Sequence, residues 1–502
     1  DERYVAWVER FNAFVAPMPA TGRALAIGPA STEVPVRRVS RDAGTDLHWS
    51  SDSRTLFWAL GPELFQRELT QTFAFEASDT NSVRRDPESK GAPIGFSAPF
   101  AKPTARIALV GGTAITMNGA EVIRNATIVI DGNRIVAVGP AGSTTIPADA
   151  RRIDVTGKYL MPGLVDAHAH IGTGSSGITA TRNPAMRQAM AFGVTTMHDP
   201  SNATDMVFSA SEMIKSGAMP VAPRLFSTGT ILYGAEGGAK AITTTFDDAL
   251  THLRRMKAVG AFSVKSYNQP RRDARQQIIE AARQLELEVV PEGGSTLFYN
   301  VTHVLDGHTT VEHNLPVAPL YNDVQTVFAA SKSGYTPTLI VNFGGLSGEY
   351  YWYAHTNTWE DERLRRFMPA GALEARGRRR ELAADDDWSY QATSRAAKKL
   401  SDLGVKVNTG AHGQMQGLGV HWEMWMLAQG GMTAHEALRA ATLNGAASLG
   451  LDTDIGSLTR GKLADVLVLD RNPLADIRNS SAIRWVIANG RVYDAMTMNA
   501  VP

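Results

Sequence analysis

Between residues 159 and 408 the chain alternates short apolar runs with longer amphipathic stretches, and that rhythm restricts the fold more than any other feature. The runs fall at 159–165, 194–198, 224–227, 262–266, 287–290, 309–313, 336–341 and 405–408. Helical periodicity occupies 247–259, 273–285 and 390–403 between them. Gly193, Gly260, Gly307, Gly334 and Gly404 stand just before the next run, where a helix needs a left-handed cap. Strand and helix in alternation predict an α/β chain whose main domain, 162–455, is a (β/α)8 barrel of the TIM type. In such a barrel the functional groups gather at the carboxyl ends of the strands.

Both flanks of this region read as β. Strand-like runs at 107–110, 113–117, 126–130 and 135–138 are separated by Asn118-Gly119 and Asp131-Gly132-Asn133 turns. A matching pattern returns at 464–469 and 485–492. The expectation is a small β-sandwich built from 105–161 and 456–498 together. Residues 1–80 hold further short strands, with a hairpin across Ser51-Asp52-Ser53. The run Trp49-Ser50-Ser51-Asp52-Ser53-Arg54-Thr55-Leu56-Phe57-Trp58 resembles a blade of TolB-like β-propellers. One or two blades cannot close a propeller. The rest is then expected from the same precursor or another chain; the alternative is a β appendage packed on the main domain. Residues 81–104, rich in Ser, Pro, Gly and charge, read as a linker.

Bulk chemistry removes several function classes. Fifty basic residues balance fifty acidic ones, so nothing points to nucleic acid as a partner. No apolar run is long enough to span a bilayer as a helix. The chain has no cysteine, which excludes disulfides, thiolate ligands and a cysteine nucleophile. It begins at Asp1, so processing or truncation at the N-terminus is expected.

His168 and His170 close the first run, and side chains two apart on a strand point the same way. Two imidazoles aimed at one point suit a divalent metal, with zinc the expected ion. Lys265, Glu292, His313 and His412 stand at the ends of later runs. The barrel therefore brings metal-ligating and proton-moving groups to one mouth.

The motifs Pro162-Gly163-Leu164-Val165-Asp166-Ala167-His168-Ala169-His170, Val264-Lys265-Ser266-Tyr267 and Val311-Glu312-His313-Asn314 carry a family resemblance. So do Phe192-Gly193-Val194-Thr195-Thr196 and the stretch from Gly431 to Asp470. The chain resembles the amidohydrolase superfamily, and within it the imidazolonepropionase-like and prolidase-like metal-dependent hydrolases. The resemblance implies that His168 and His170 bind one metal and His313 a second. It also implies that N6-carboxylated Lys265 bridges the two. One or two divalent ions are expected accordingly.

The sequence departs from the family pattern twice. Glu292 stands where the fifth strand usually offers histidine, and His412 where the eighth usually offers the aspartate base. The exchange is reciprocal and leaves the formal charge of the set unchanged, which favours a rewired, active centre. Glu292 is then a ligand and His412 a base or ligand; alternatively Glu292 is the base.

Tyr267, Tyr233 and Tyr351 are candidates for substrate contact. Tyr351 lies in a long segment, 343–388, read either as a helical lid or as a packing insertion. Its basic run 376–380 reads as a solvated helix face. Glu236 is a possible extra ligand; His198 reads as supporting or core, His303 and His308 as structural, His421 and His435 as surface or packing.

The resulting expectation is hydrolysis of amide or related C–N bonds in small peptide-like, N-acyl or cyclic amide substrates. Lactone or phosphoester hydrolysis on the same centre is the alternative within the superfamily, and deamination is less expected. A metal-stabilised binding scaffold is the rival from another class. The TolB-like resemblance suggests a periplasmic or secreted protein, with the cytoplasm as the alternative; a homo-oligomer is compatible with the sequence.

Overall fold

The computed structural model describes residues 2–77, 83, 86–174, 177–234, 240–378 and 380–501. The chain divides into two compact units. One comprises Asp1–Ala98, Leu232–Val264 and Gln269–Leu287; the other comprises Pro99–Ile231, Lys265–Asn268 and Glu288–Pro502.

The first unit holds two antiparallel sheets. Tyr4–Glu9, Asn12–Pro17 and Arg37–Arg38 form one; Thr45–Trp49, Thr55–Leu60, Glu63–Glu68 and Ala92–Pro93 form the other. The third strand of the first sheet, Arg37–Arg38, is only two residues long, in keeping with the donor that nearby Pro35 lacks. The expected hairpin turn is held by Asp52, whose Oδ1 accepts from Ser50 Oγ at 2.6 Å and from the Arg54 N–H at 3.1 Å. Val15, Leu56, Trp58, Phe65 and Phe73 form the core between the strands. The helix Phe246–Ala258 belongs to the same unit and opens on a capping box between Thr245 and Asp248. Its buried Arg255 donates to Asp42 O at 2.7 Å and lies 4.2 Å from the Phe11 ring centroid. The described part of residues 1–77 shares its unit with this helix. The described residues form no closed propeller.

In the second unit strands of the two flanks share a core, and both flanks join one hydrogen-bonded eight-stranded sheet. Its order is Arg134–Pro140, Val122–Asp131, Arg106–Ile115, Tyr159–Pro162, Val466–Leu469, Ile483–Ala488 and Arg491–Asp494, with Arg151–Asp154 also pairing Arg106–Ile115. Alternation sorts its side chains. Leu109, Ile128, Ile130, Val466 and Val468 fill one core, while Met161, Leu467, Leu469 and Val486 join the larger α/β core.

The α/β part runs in the expected order. Leu164–Asp166, Val194–Asp199 and Arg224–Ser227 pair in parallel, as do Thr310–Glu312 and Gly334–Thr336. Backbone bonds link further segments: Thr309 N to Val289 O at 3.2 Å, Glu292 N to Ser266 O at 3.0 Å and Ala167 N to Thr409 O at 3.0 Å. Among the described residues the ladder breaks into separate parallel sheets, and a closed eight-stranded barrel is not recorded.

Three local expectations change. The run 159–165 is two strands in two sheets, Tyr159–Pro162 and Leu164–Asp166. Gly163 makes the transition, packed so closely that a Cβ there would lie 2.2 Å from Thr195 Oγ1. The seventh strand is Gly334–Thr336, after which Pro337 ends the ladder and Leu339–Val341 form a 3₁₀ turn. Gly334 is therefore a strand residue, and Lys332, at φ 62°, caps the preceding helix. The eighth segment contributes only a bridge between Tyr335 and Val407.

Candidate metal centre

His168 and His170 follow the strand Leu164–Asp166, and His412 follows the 405–409 segment paired beside it. One ligand atom from each of these three imidazoles lies within 4.8 Å of the others. His313, after Thr310–Glu312, completes the group, its ring centroid 4.9 Å from His168 and 5.1 Å from His412. His313 and His412 both adopt left-handed backbone, at φ 67° and 53°. Such conformations are sparse for bulky residues and persist where the surroundings hold them.

Carboxylates and a hydroxyl orient the rings. Glu312 Oε2 lies 2.6 Å from His168 Nδ1, Asp199 Oδ1 3.3 Å from His170 Nδ1, and Thr338 Oγ1 2.7 Å from His313 Nδ1. Nε2 of His168 is buried without a hydrogen-bond partner. A buried nitrogen left open, with its ring fixed from the far side by a carboxylate, fits a metal ligand.

Lys265 and Glu292 form the other half. Lys265 Nζ is 2.5 Å from Glu292 Oε2, and Glu292 Oε1 is 3.0 Å from His313 Nε2. Tyr267 stays with them, its ring centroid 5.5 Å from the Lys265 ammonium.

The electrostatics suit neutral imidazoles and an ionised Glu292. Burial, reinforced by Lys265 and the neighbouring rings, pushes His168 well below its ordinary value. Burial and His170 push His412 down to about 3. Burial alone would raise Glu292, but Lys265 and His313 more than offset it and hold the carboxyl below its usual range. Neutral imidazoles and a carboxylate are the forms that ligate a cation.

Other sequence candidates fall elsewhere. Tyr233 belongs to the other unit, where the Lys240 ammonium lies 4.1 Å from its ring centroid. Tyr351 packs among Trp388, Tyr390 and His355, and its hydroxyl accepts from Gln429 Nε2 at 3.1 Å. The 343–388 segment thus builds core with its aromatics. Its basic run is not simply solvated, because Arg376 donates to Gln414 Oε1 at 2.7 Å. Glu236 and Arg379 lie outside the described residues. His198 is buried, and His303 and His308 meet edge to face with ring centroids 4.6 Å apart. His421 has both nitrogens engaged, by Ser480 Oγ and Phe192 O.

The orienting groups Glu312, Asp199 and Thr338 were not singled out by the sequence reading. Glu312 adjoins the candidate ligand His313, so a carboxylate next to a candidate ligand marks one of the three.

The three imidazoles of His168, His170 and His412, with a buried lysine–carboxylate pair beside them, form a group that could hold a divalent ion. A model of the Amidohydrolase family matches residues 370–493. An imidazolonepropionase of Symbiobacterium thermophilum is 26% identical over 380 residues, covering 70% of this chain and 85% of its own. A solved structure assigned as a prolidase from Bifidobacterium longum is 26% identical at a TM-score of 0.60, over 78% of this chain and 94% of that one. A solved Xaa-Pro dipeptidase with bound methionine in the active site, 20% identical at a TM-score of 0.61, covers 78% and 100% and shares the fold. The chain is similar to amidohydrolases over the matched residues, and it is an enzyme, a hydrolase acting on C–N bonds.

Proposed function

We propose that the protein hydrolyses amide bonds of small peptide-like, N-acyl or cyclic amide substrates. The observation that supports this most directly is the convergence of His168, His170 and His412 within 4.8 Å, beside the Lys265–Glu292 pair. His168, His170 and His412 would hold one divalent ion, zinc by their donor chemistry. Glu292, His313 and carboxylated Lys265 would hold a second. Such an ion lowers the pKa of its bound water toward neutrality and polarises the scissile carbonyl.

The chain's own groups supply the rest. Glu312 and Thr338 fix the tautomers and planes of His168 and His313. Where Glu292 is not a ligand of the second ion, it is the base that accepts the proton of the attacking water and returns it to the leaving nitrogen. His412 takes this role in the alternative assignment. The Tyr267 hydroxyl donates to the substrate carbonyl. The prolidase and imidazolonepropionase likenesses support a carboxylate-bearing or cyclic amide.

The Lys265–Glu292 contact supports a second reading, a single-ion centre in which Lys265 stays unmodified. The four-stranded meander of the first unit supports a propeller blade completed by the precursor or another chain, and with it a periplasmic or secreted location.

Metal analysis with turnover on dipeptides, N-acyl amino acids, cyclic amides, lactones and phosphoesters tests the proposal. Chelation is expected to abolish amide turnover and zinc to restore it. Turnover of lactones or phosphoesters instead changes the reaction class. Bound metal with no turnover on any of them favours a binding scaffold.

A further inference from the structure

The second unit holds a cavity remote from the imidazole cluster. It measures about 440 Å³ and is lined by Thr195 and Arg224, at the amino ends of the strands Val194–Asp199 and Arg224–Ser227. Asp199, whose carboxylate meets His170, closes the first of these strands at its carboxyl end. Four residue steps along a strand, about 13 Å, separate Asp199 from Thr195. The cavity is thus no part of the candidate metal centre.

Its floor is apolar and its walls are cationic. Met219, Ala222, Leu225 and Ile455 are buried side chains that line it. Arg134, Lys215, Arg224 and Arg491 also line it, against one carboxylate, that of Asp454. Two of these cations are matched. Arg134 donates to Asp454 Oδ1 at 2.5 Å, and Arg224 pairs with Asp465. Lys215, in the last turn of the helix Thr204–Ser216, and Arg491, at the start of the strand Arg491–Asp494, are exposed. Neither forms an ion pair among the described residues.

The lip carries a further signal. Ala101 N donates to Lys215 O at 2.8 Å, and Asn489 Nδ2 donates to Ala101 O at 2.9 Å, so the chain is pinned there. Phe100, the preceding residue, also lines the cavity and is 72% exposed. An aromatic ring left in water beside an apolar hollow gains free energy by closing on an apolar ligand.

A cavity of this size suits a small organic molecule. Its floor removes hydrocarbon from water. Two unmatched cations at the rim attract an anionic head and disfavour a cationic one. We propose that the cavity is a second ligand site, specific for a small amphipathic carboxylate, with the hydrocarbon body on Met219, Leu225 and Phe100 and the carboxylate at Lys215 and Arg491. The site goes beyond the metal-centre reading and does not depend on it.

Octanoate is the probe, with octanol as the same body without the charge and acetate as the charge without the body. Calorimetric titration into the full chain, in chelator so that no metal competes for the carboxylate, is expected to show octanoate binding, octanol about tenfold weaker and no acetate binding. Lys215→Gln combined with Arg491→Gln should weaken octanoate about tenfold and leave octanol unchanged. Ala222→Phe fills the floor and should abolish binding of both. Should that variant not fold, the rim pair, made on exposed side chains, still decides. Hydrogen exchange locates the site: octanoate should slow exchange in 213–226 and 488–493 and leave 409–413 unchanged. Absence of octanoate binding overturns the proposal, as does octanol binding as tightly as octanoate, or an octanoate affinity that the rim variant leaves unchanged. Protection of 409–413 in place of the cavity segments puts the ligand at the metal centre and overturns it too.

Discussion

The ammonium of Lys265 lies 2.5 Å from Oε2 of Glu292, with the lysine side chain 2% exposed and the glutamate 14%. That contact sets the charge logic of the centre. A carbamate on Lys265 would be an anion beside a second anion at a buried position, and like charges there oppose ionisation strongly. Capture of CO2 is therefore expected only when a cation stands between them. Intact-protein mass spectrometry should show an unmodified chain in bicarbonate without metal, and one added CO2 with zinc and bicarbonate together. Addition without metal would sink this account.

Glu292 and His412 can be separated by substitution. With the His412 ring among those of His168, His170 and His313, His412→Asn should lower metal content. Glu292→Gln should keep at least one ion and lose rate on the order of 10²-fold or more, as removal of a general base does. Metal analysis paired with single-turnover rates checks both. The reverse pattern exchanges the two assignments.

The Glu312 carboxylate lies 2.6 Å from Nδ1 of His168, and burial pushes its pKa up to about 8. Removing it frees the ring to turn. Glu312→Ala should weaken zinc binding about 10- to 100-fold, the usual cost of losing such a partner. Glu312→Gln keeps a carbonyl acceptor and should fall between. Competition against a chromophoric chelator measures each, and equal affinities would refute the orienting role.

The cluster of candidate residues is legible in the sequence because it rests on period and position. His168 and His170 are two apart on a strand end, and Lys265, Glu292, His313 and His412 each end an apolar run. What orients them was less legible. Glu312 and Asp199 read as ordinary strand residues until the fold brings them to His168 and His170. The apolar run 159–165 reads as one strand because hydrophobicity does not mark where a chain changes sheets; Pro162 and Gly163 do. Tyr351 was drawn toward a substrate role by its aromatic neighbours, yet aromatic clusters fill cores as readily as pockets.

The sheet change at Gly163 has a measurable consequence. A Cβ there would sit 2.2 Å from Oγ1 and 2.9 Å from Cβ of Thr195, which leaves no room without backbone movement. Gly163→Ala should destabilise the fold by about 1–3 kcal/mol, the range for overpacking a dense core. Adding Thr195→Gly should restore part of that loss, and additive effects in the double variant would show that the two do not compete for space.

Glu288, four residues before Glu292, gives the chain a pH dependence independent of the centre. Its Oε2 is buried without a hydrogen-bond partner, and burial raises the carboxyl from 4.5 to about 7. The folded state therefore holds a proton that the unfolded chain releases at lower pH. The sign follows from linkage. This group's contribution is fully present below pH 4.5 and is lost as pH rises through about 7. The loss at high pH amounts to about 3 kcal/mol at most. Glu288→Gln carries no proton to lose, so it should equal the parent in acid and exceed it in stability above neutrality. Denaturant midpoints for both proteins between mildly acidic and mildly alkaline buffer decide it: parallel curves would mean that Glu288 is solvated or paired in the folded protein and stays ionised.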